Sequence, residues 1–208
     1  MTDSTTTRKR HAFTGSCHCG DIWYIAHLNF PHDPPPYPRA GEALYRCNCT
    51  ICHKAGLFHV RLDSAPDDFL LLSPLDPFKN LGDYQCGQKI LHFFFCRTCG
   101  VRCFTFLGEG ENVDVNLDAV LGKKGEQGET GTTTVKAWRP KKDGWKDDRV
   151  KNGGYLSVNA NTLDQMQDGL DIREWCEKGW MYYIEQLNPD ENGAEQMSYD
   201  RPFPGGMY

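Results

Sequence analysis

At 208 residues, 39% of them hydrophobic and 25% charged, the chain is long enough for one domain with a core of its own and too short for several. A net charge of −5 excludes a global positive field that recruits nucleic acid, and no apolar run reaches the roughly 20 residues of a membrane helix. Gly 21 and Pro 12 favour a loop-rich β protein over a helical bundle.

Residues 1–10 read as a disordered tail. MTDSTTTRKRH has no apolar segment behind its charges, so it is not a secretory signal. Its basic cluster Arg8-Lys9-Arg10 reads as solvated, with nuclear import as the alternative; the expectation is a cytoplasmic protein, the nucleus being the second location. One domain is expected over 11–187. Within it, 12–28 reads as a strand, a cysteine turn and a second strand. The stretch 29–43 is an inserted loop, because Pro34-Pro35-Pro36 cannot sit in a central strand. Residues 44–62 enter a cysteine loop and leave on a strand, and 63–80 suggest brief strands and turns. KILHFFFCRTCGVRCFTFL, 89–107, reads as two strands joined at a knuckle. In 111–121 the alternation puts Val113, Val115 and Leu117 on one strand face. Residues 122–134 and 139–154 are Gly-, Lys- and Asp-rich, so 122–154 counts as a second inserted loop region. Another strand is expected over 154–164 and one short helix over 170–180, ended near Gly179. Residues 188–208 read as a mobile polar tail. The fold expected is mainly β, with long loops and at most one or two short helices.

The ten cysteines carry the chemistry. A reducing compartment disfavours disulfides, and the spacings are those of metal ligands: Cys17-x-Cys19, Cys47-x-Cys49-x-x-Cys52 and Cys96-x-x-Cys99. Residues i and i+2 of a strand point the same way, so Cys17 and Cys19 can share one ion. With the Cys96/Cys99 knuckle they supply four sulfurs, a closed structural zinc site. Cys47, Cys49 and Cys52 remain, with no obvious fourth ligand; three ligands and an open vertex are the layout of a catalytic zinc. A soft all-thiolate site favours a thiol as its exchangeable ligand and holds it as thiolate. Two alternatives stay open here. Cys47, Cys49 or Cys52 could pair with the knuckle and leave Cys17 and Cys19 idle, or His18 or His53 could close the second site. Cys86, Cys103 and Cys176 read as small hydrophobes.

G-S-C-H-C-G (15–20), C-N-C-T-I-C-H-K-A-G (47–56) and F-F-C-R-T-C-G-V (94–101), with Y-Q-C-G-Q-K-I-L-H (84–92) leading into the last, resemble the signatures of the glutathione-dependent formaldehyde-activating enzyme family, also named for centromere protein V. The resemblance covers roughly residues 12–121. It implies an Mss4-like zinc-bound β fold, with Cys17, Cys19, Cys96 and Cys99 on a structural zinc and Cys47, Cys49 and Cys52 on a catalytic zinc near which glutathione binds. It also implies a carbon–sulfur lyase activity, S-(hydroxymethyl)glutathione formation from glutathione and formaldehyde. The insertion 29–43 and the loops after 121 depart from the compact pattern, and a substrate bulkier than formaldehyde is one consequence.

On this reading Cys49 is required for turnover, and His53 and His92 are candidates to move the proton that thiohemiacetal formation needs. Arg46, Lys54 and Arg97 are candidates for the two glutathione carboxylates. The partners expected are glutathione with a small electrophile or a glutathione adduct, with no membrane and no nucleic acid. The competing readings are a non-catalytic zinc-stabilised binding module and a zinc hydrolase; three anionic thiolates make a poor Lewis acid, which disfavours the latter.

Overall fold

The computed structural model of the chain describes residues 8–32, 41–122, 133–146, 153–190 and 196–208. In chain order the elements are β1 (Lys9–Ser16), β2 (Trp23–Phe30), β3 (Ala43–Cys47), α1 (Thr50–Ala55), β4 (His59–Arg61), α2 (Ala65–Asp68), β5 (Phe69–Ser73), α3 (Pro77–Asn80), β6 (Gly82–Tyr84), β7 (His92–Phe95), β8 (Arg102–Leu107), β9 (Gly110–Asn116), α4 (Leu117–Val120), β10 (Thr134–Pro140), β11 (Tyr155–Asn159), α5 (Ile172–Glu177), β12 (Met181–Glu185) and β13 (Gln196–Ser198). The fold is mainly β, as the composition implies. Five helices occur among the described residues, against the one or two expected, but each is only four to six residues long. No helix among the described residues is long and apolar enough to cross a membrane.

Two sheets form. One has five strands in the order β1-β2-β5-β10-β9, the other eight in the order β13-β12-β3-β4-β11-β8-β7-β6. Alternation along the strands gives each sheet an apolar face. Phe13, Tyr24, Phe69 and Trp138 from the first sheet meet Leu44, Val60, Phe104, Phe106 and Val158 from the second in one buried cluster. Ring contacts cross between them, Phe69 to Phe104 at 5.1 Å and Phe106 to Trp138 at 5.2 Å. Val113, Val115 and Leu117 lie on the outer side of the first sheet with Ile25 and Leu70, as their alternation predicts, although Leu117 already belongs to α4.

Several sequence boundaries shift. The strand β1 begins at Lys9, inside the expected tail, where Arg10 finds a partner in Asp68 at 2.9 Å. The loop 29–43 narrows, because β2 runs through Phe30 and β3 begins at Ala43. Its end is pinned by Glu42, which accepts from the Asn29 amide and lies 2.6 Å from His32 Nε2. Pro34, Pro35 and Pro36 lie outside the described residues. The expected loop region 122–154 contains β10, paired along its length with β9; alternation there is masked by Lys136 and Arg139, which meet Asp114 and Glu111 of β9. The expected tail 188–208 contains β13, which pairs with β12, and Phe203 packs on the main core. The helix expected over 170–180 is α5, followed by Gly179 in the left-handed region at φ 64°.

Candidate metal centre

Two hairpins face each other. In the β1–β2 turn, Gly20 takes φ 84° and its N–H bonds the Cys17 carbonyl. In the β7–β8 turn, Gly100 takes φ 77° and its N–H bonds the Cys96 carbonyl. Only glycine enters that region without a Cβ penalty, so the two knuckles are written into the sequence. Cys19 Sγ lies 3.5 Å from both Cys17 Sγ and Cys96 Sγ. Ligand sulfurs of tetrahedral zinc lie about 3.8 Å apart when each Zn–S bond is about 2.3 Å, so the spacing fits. Backbone N–H groups already point at sulfur, from Ile22 to Cys17 at 3.2 Å and from Cys99 to Cys96 at 3.5 Å. Burial pushes the Cys99 thiol up, but N–H donors at Val101 and Cys19 and the neighbouring thiols outweigh it and leave the group at about 6. The Thr98 hydroxyl donates to Asp21 at 2.6 Å and ties the knuckles together a second time.

Cys47, Cys49 and Cys52 form the second group, all three sulfurs lying within 4.8 Å of one another. Cys47 ends β3 and Cys49 precedes α1, which delivers Cys52 one turn later and stops at Gly56 in the left-handed region. Cys52 is buried, whereas Cys47 and Cys49 are half-exposed, so the group opens towards solvent on their side. Hydrogen bonds from the Cys47 and Cys52 thiols pull Cys49 down to about 2; Cys47 in return is pushed up to about 12 and Cys52 is also pushed up. One thiolate solvated by two thiols is what such a cluster does without a cation, and a cation displaces the remaining protons. Each of the two groups could hold a metal ion, in the division expected from the cysteine spacing. A ribbon that leaves Cys17 and Cys19 idle does not occur.

The other sequence candidates scatter. His18 lies within the first knuckle and His53 on α1, both exposed and neither among the mutually close ligand atoms. His92 sits on the far face of β7. Its ring stacks on Phe94 and its Nδ1 meets Asp83 at 2.8 Å, whereas Phe93, on the opposite face, packs against Cys52. Arg46 likewise alternates with Cys47, and its guanidinium lies 4.4 Å over the Phe58 ring. Arg97 belongs to the four-thiol knuckle. Lys54 is exposed on α1, two residues and about 200° beyond Cys52.

Residues that the sequence reading passed over surround the second group. His59 Nε2 lies 3.2 Å from Cys52 Sγ and its Nδ1 lies 2.8 Å from Ser157 Oγ. Cys86, half-exposed on the β6–β7 loop, packs on the same Cys52–Leu57–Phe93 cluster as Cys47 and Cys49. Asn48, between two of the cysteines, is buried; its amide donates to Glu185 Oε1 at 2.7 Å and to the Pro204 carbonyl at 3.1 Å, and its Oδ1 accepts from the Gln186 and Leu187 amides. The three-thiol loop is thereby tied to the end of β12 and to residues 203–206. Asn48→Ala strips these bonds and leaves buried groups unpaired. It should cost about 2–3 kcal/mol, a fall of about 5–10 °C in melting temperature, and weaken metal binding at the second group while sparing the first, read by calorimetric melting and metal titration. Sequence offers no signal for His59, whose place opposite Tyr45 comes from the β3–β4 register; the roles of Asn48 and Ser157 depend on contacts across about a hundred residues or more and leave no local trace.

No family model matches the chain, and no curated protein does. A crystal structure of a Rhodobacter sphaeroides protein, a structural genomics target, aligns over 77% of this chain and 93% of its own length, at 18% identity and a TM-score of 0.38. A likeness that loose identifies neither a family nor an activity, so the reading of the centre rests on its own donors.

Proposed function

We propose that Cys47, Cys49 and Cys52 hold a zinc ion whose remaining vertex takes the thiol of glutathione, and that the protein makes or breaks a carbon–sulfur bond in glutathione adducts, an activity like that of S-(hydroxymethyl)glutathione synthase. The observation that carries this reading is the donor count: four thiols converge in one group and three in the other, with no fourth side-chain donor among the described residues within the same mutual spacing. The four-thiol group, on this reading, holds a structural zinc.

When bound, such an ion lowers the pKa of an incoming thiol and stabilises sulfur as nucleophile or leaving group. The chain's part is to present three soft donors, which favour a thiol over a carboxylate or water, and to leave the approach open beside half-exposed Cys47 and Cys49. In the forward direction with formaldehyde, the thiolate sulfur bonds to the carbonyl carbon. The π pair moves to oxygen, and that oxygen takes up the proton the thiol has lost. Of the cations expected for the glutathione carboxylates, Lys54 shares the helix of Cys52 but lies about 200° around it, Arg46 lies over Phe58 and Arg97 belongs to the four-thiol knuckle.

Calorimetry with the two-zinc protein tests the reading. Glutathione should bind and S-methylglutathione, which lacks a free thiol, should bind at least about tenfold more weakly. Exchange between formaldehyde and its glutathione adduct, followed by 13C NMR, should accelerate with enzyme concentration. Equal binding of the two peptides with no acceleration would favour a zinc-stabilised binding module instead.

A further inference from the structure

We propose that His59, fixed by Ser157, is a positioning residue of the second metal site: its Nε2–H donates to the Cys52 sulfur without joining the metal's own ligand shell. The inference rests on the metal reading above. Nε2 lies 3.2 Å from Cys52 Sγ but falls outside the set of sulfurs that are all within 4.8 Å of one another. A fourth tetrahedral ligand would lie about equally near all three sulfurs, so the imidazole stands beside one ligand and not at the open vertex.

The sheet builds this arrangement. β4 runs between β3 and β11. On one side Tyr45 is the direct cross-strand partner of His59, and its ring stacks on the imidazole at 4.8 Å and 15°. On the other side Asn159 is the partner, and Ser157, two residues along on the same face, reaches Nδ1 at 2.8 Å. The imidazole and Ser157 are buried, 5% and 1% exposed, so the ring has no freedom to turn away. A metal-bound Cys52 thiolate can only accept, so the ring proton sits on Nε2 and points at sulfur, and Nδ1 is left to accept from the Ser157 hydroxyl. Three thiolates on a divalent cation leave a net negative complex that has little pull on a visitor's electrons. An N–H donor on one sulfur withdraws charge from it and restores part of that pull, the role that outer-shell partners play at metal sites generally. The backbone N–H of Cys49, 3.4 Å from Cys47 Sγ, does the same for a second ligand.

The test uses the full chain loaded with cobalt(II), the band of the four-thiol site being subtracted with the Cys49→Ser protein. His59→Phe keeps the ring stack and removes the donor. It should still bind two ions, with second-site affinity about tenfold lower and the sulfur-to-cobalt charge-transfer band moved to longer wavelength. His59→Gln, which can place an N–H where Nε2 was, should restore most of the band position. Ser157→Ala, which leaves the imidazole in place, should shift the band in the same direction by less, and it decides the matter if His59→Phe does not fold. An unshifted band in His59→Phe, or in Ser157→Ala if only that variant folds, overturns the proposal and leaves the metal reading standing. A nitrogen at about 2.0–2.1 Å from the second metal in X-ray absorption also overturns it, by making His59 a ligand. A wild-type chain that binds only one ion overturns both.

Discussion

Cys96→Ser should abolish cooperative folding, giving a chain without a thermal transition by near-ultraviolet circular dichroism. The Cys96 sulfur is buried, 1% exposed, and lies 3.5 Å from Cys19, 77 residues earlier. The two knuckles belong to different sheets, β1–β2 to the five-stranded one and β7–β8 to the eight-stranded one. A cation held between them staples sheet to sheet and closes a long loop, where a cross-link removes most unfolded-state entropy. Structural zinc contributes apparent free energies of about 10–16 kcal/mol, as large as the whole net stability of a domain, about 5–15 kcal/mol. Losing one of four ligands is therefore enough to tip the balance. A strong chelator should reproduce the effect on the wild type. A Cys96→Ser protein that melts within about 5 °C of wild type, which corresponds to no more than about 1–2 kcal/mol for a chain of this size, would mean that the apolar contacts between the sheets suffice without the clamp.

Cys49→Ser should have the opposite profile: fold and first metal ion kept, second ion lost, and glutathione-dependent turnover reduced by about 100-fold or more. Cys49 is half-exposed at the start of a six-residue helix and carries no core packing comparable to that of Cys96. The loop around it is held without metal, by the Asn48 bonds to Glu185 and Pro204 and by the Leu57 amide on the Cys52 carbonyl at 3.0 Å. The expected melting temperature is within a few degrees of wild type, with one equivalent of zinc remaining by metal analysis. A collapse of folding equal to that of Cys96→Ser would make both centres structural.

The cysteine groups were legible because each is built from pairs or a triple that are local in sequence, although the first joins two pairs 77 residues apart. C-x-C, which lies in the β1–β2 turn and not on the extended strand expected, C-x-x-C-G in a hairpin and C-x-C-x-x-C into a helix each fix sulfur positions within a turn or two. Gly20 and Gly100 mark the knuckles independently of the cysteines. The mainly β class was legible from composition and alternation, but β10 and β13 were not: Lys136 and Arg139 interrupt one pattern, and Gln196–Ser198 is too short to have one. What surrounds the second centre was the least legible. His92 and Arg46 are one residue from the correct face, and in a strand one residue reverses the side chain. His59, seven residues past Cys52, looked like any strand histidine until the β3–β4–β11 register placed Tyr45 and Ser157 around it. The isolated Cys86, read as a small hydrophobe, packs on the Cys52–Leu57–Phe93 cluster from the β6–β7 loop.

The proposed chemistry needs an open vertex beside Cys47, Cys49 and Cys52, so the decisive measurement counts donors at the second ion. Cadmium-113 NMR of the fully loaded chain gives one resonance per site, displaced downfield with each added thiolate. Two resonances are expected, one in the four-thiolate range and indifferent to glutathione, the other upfield of it and moving downfield when glutathione is added. Two resonances already in the four-thiolate range, or a second that glutathione leaves where it was, would contradict an exchangeable vertex at Cys47, Cys49 and Cys52.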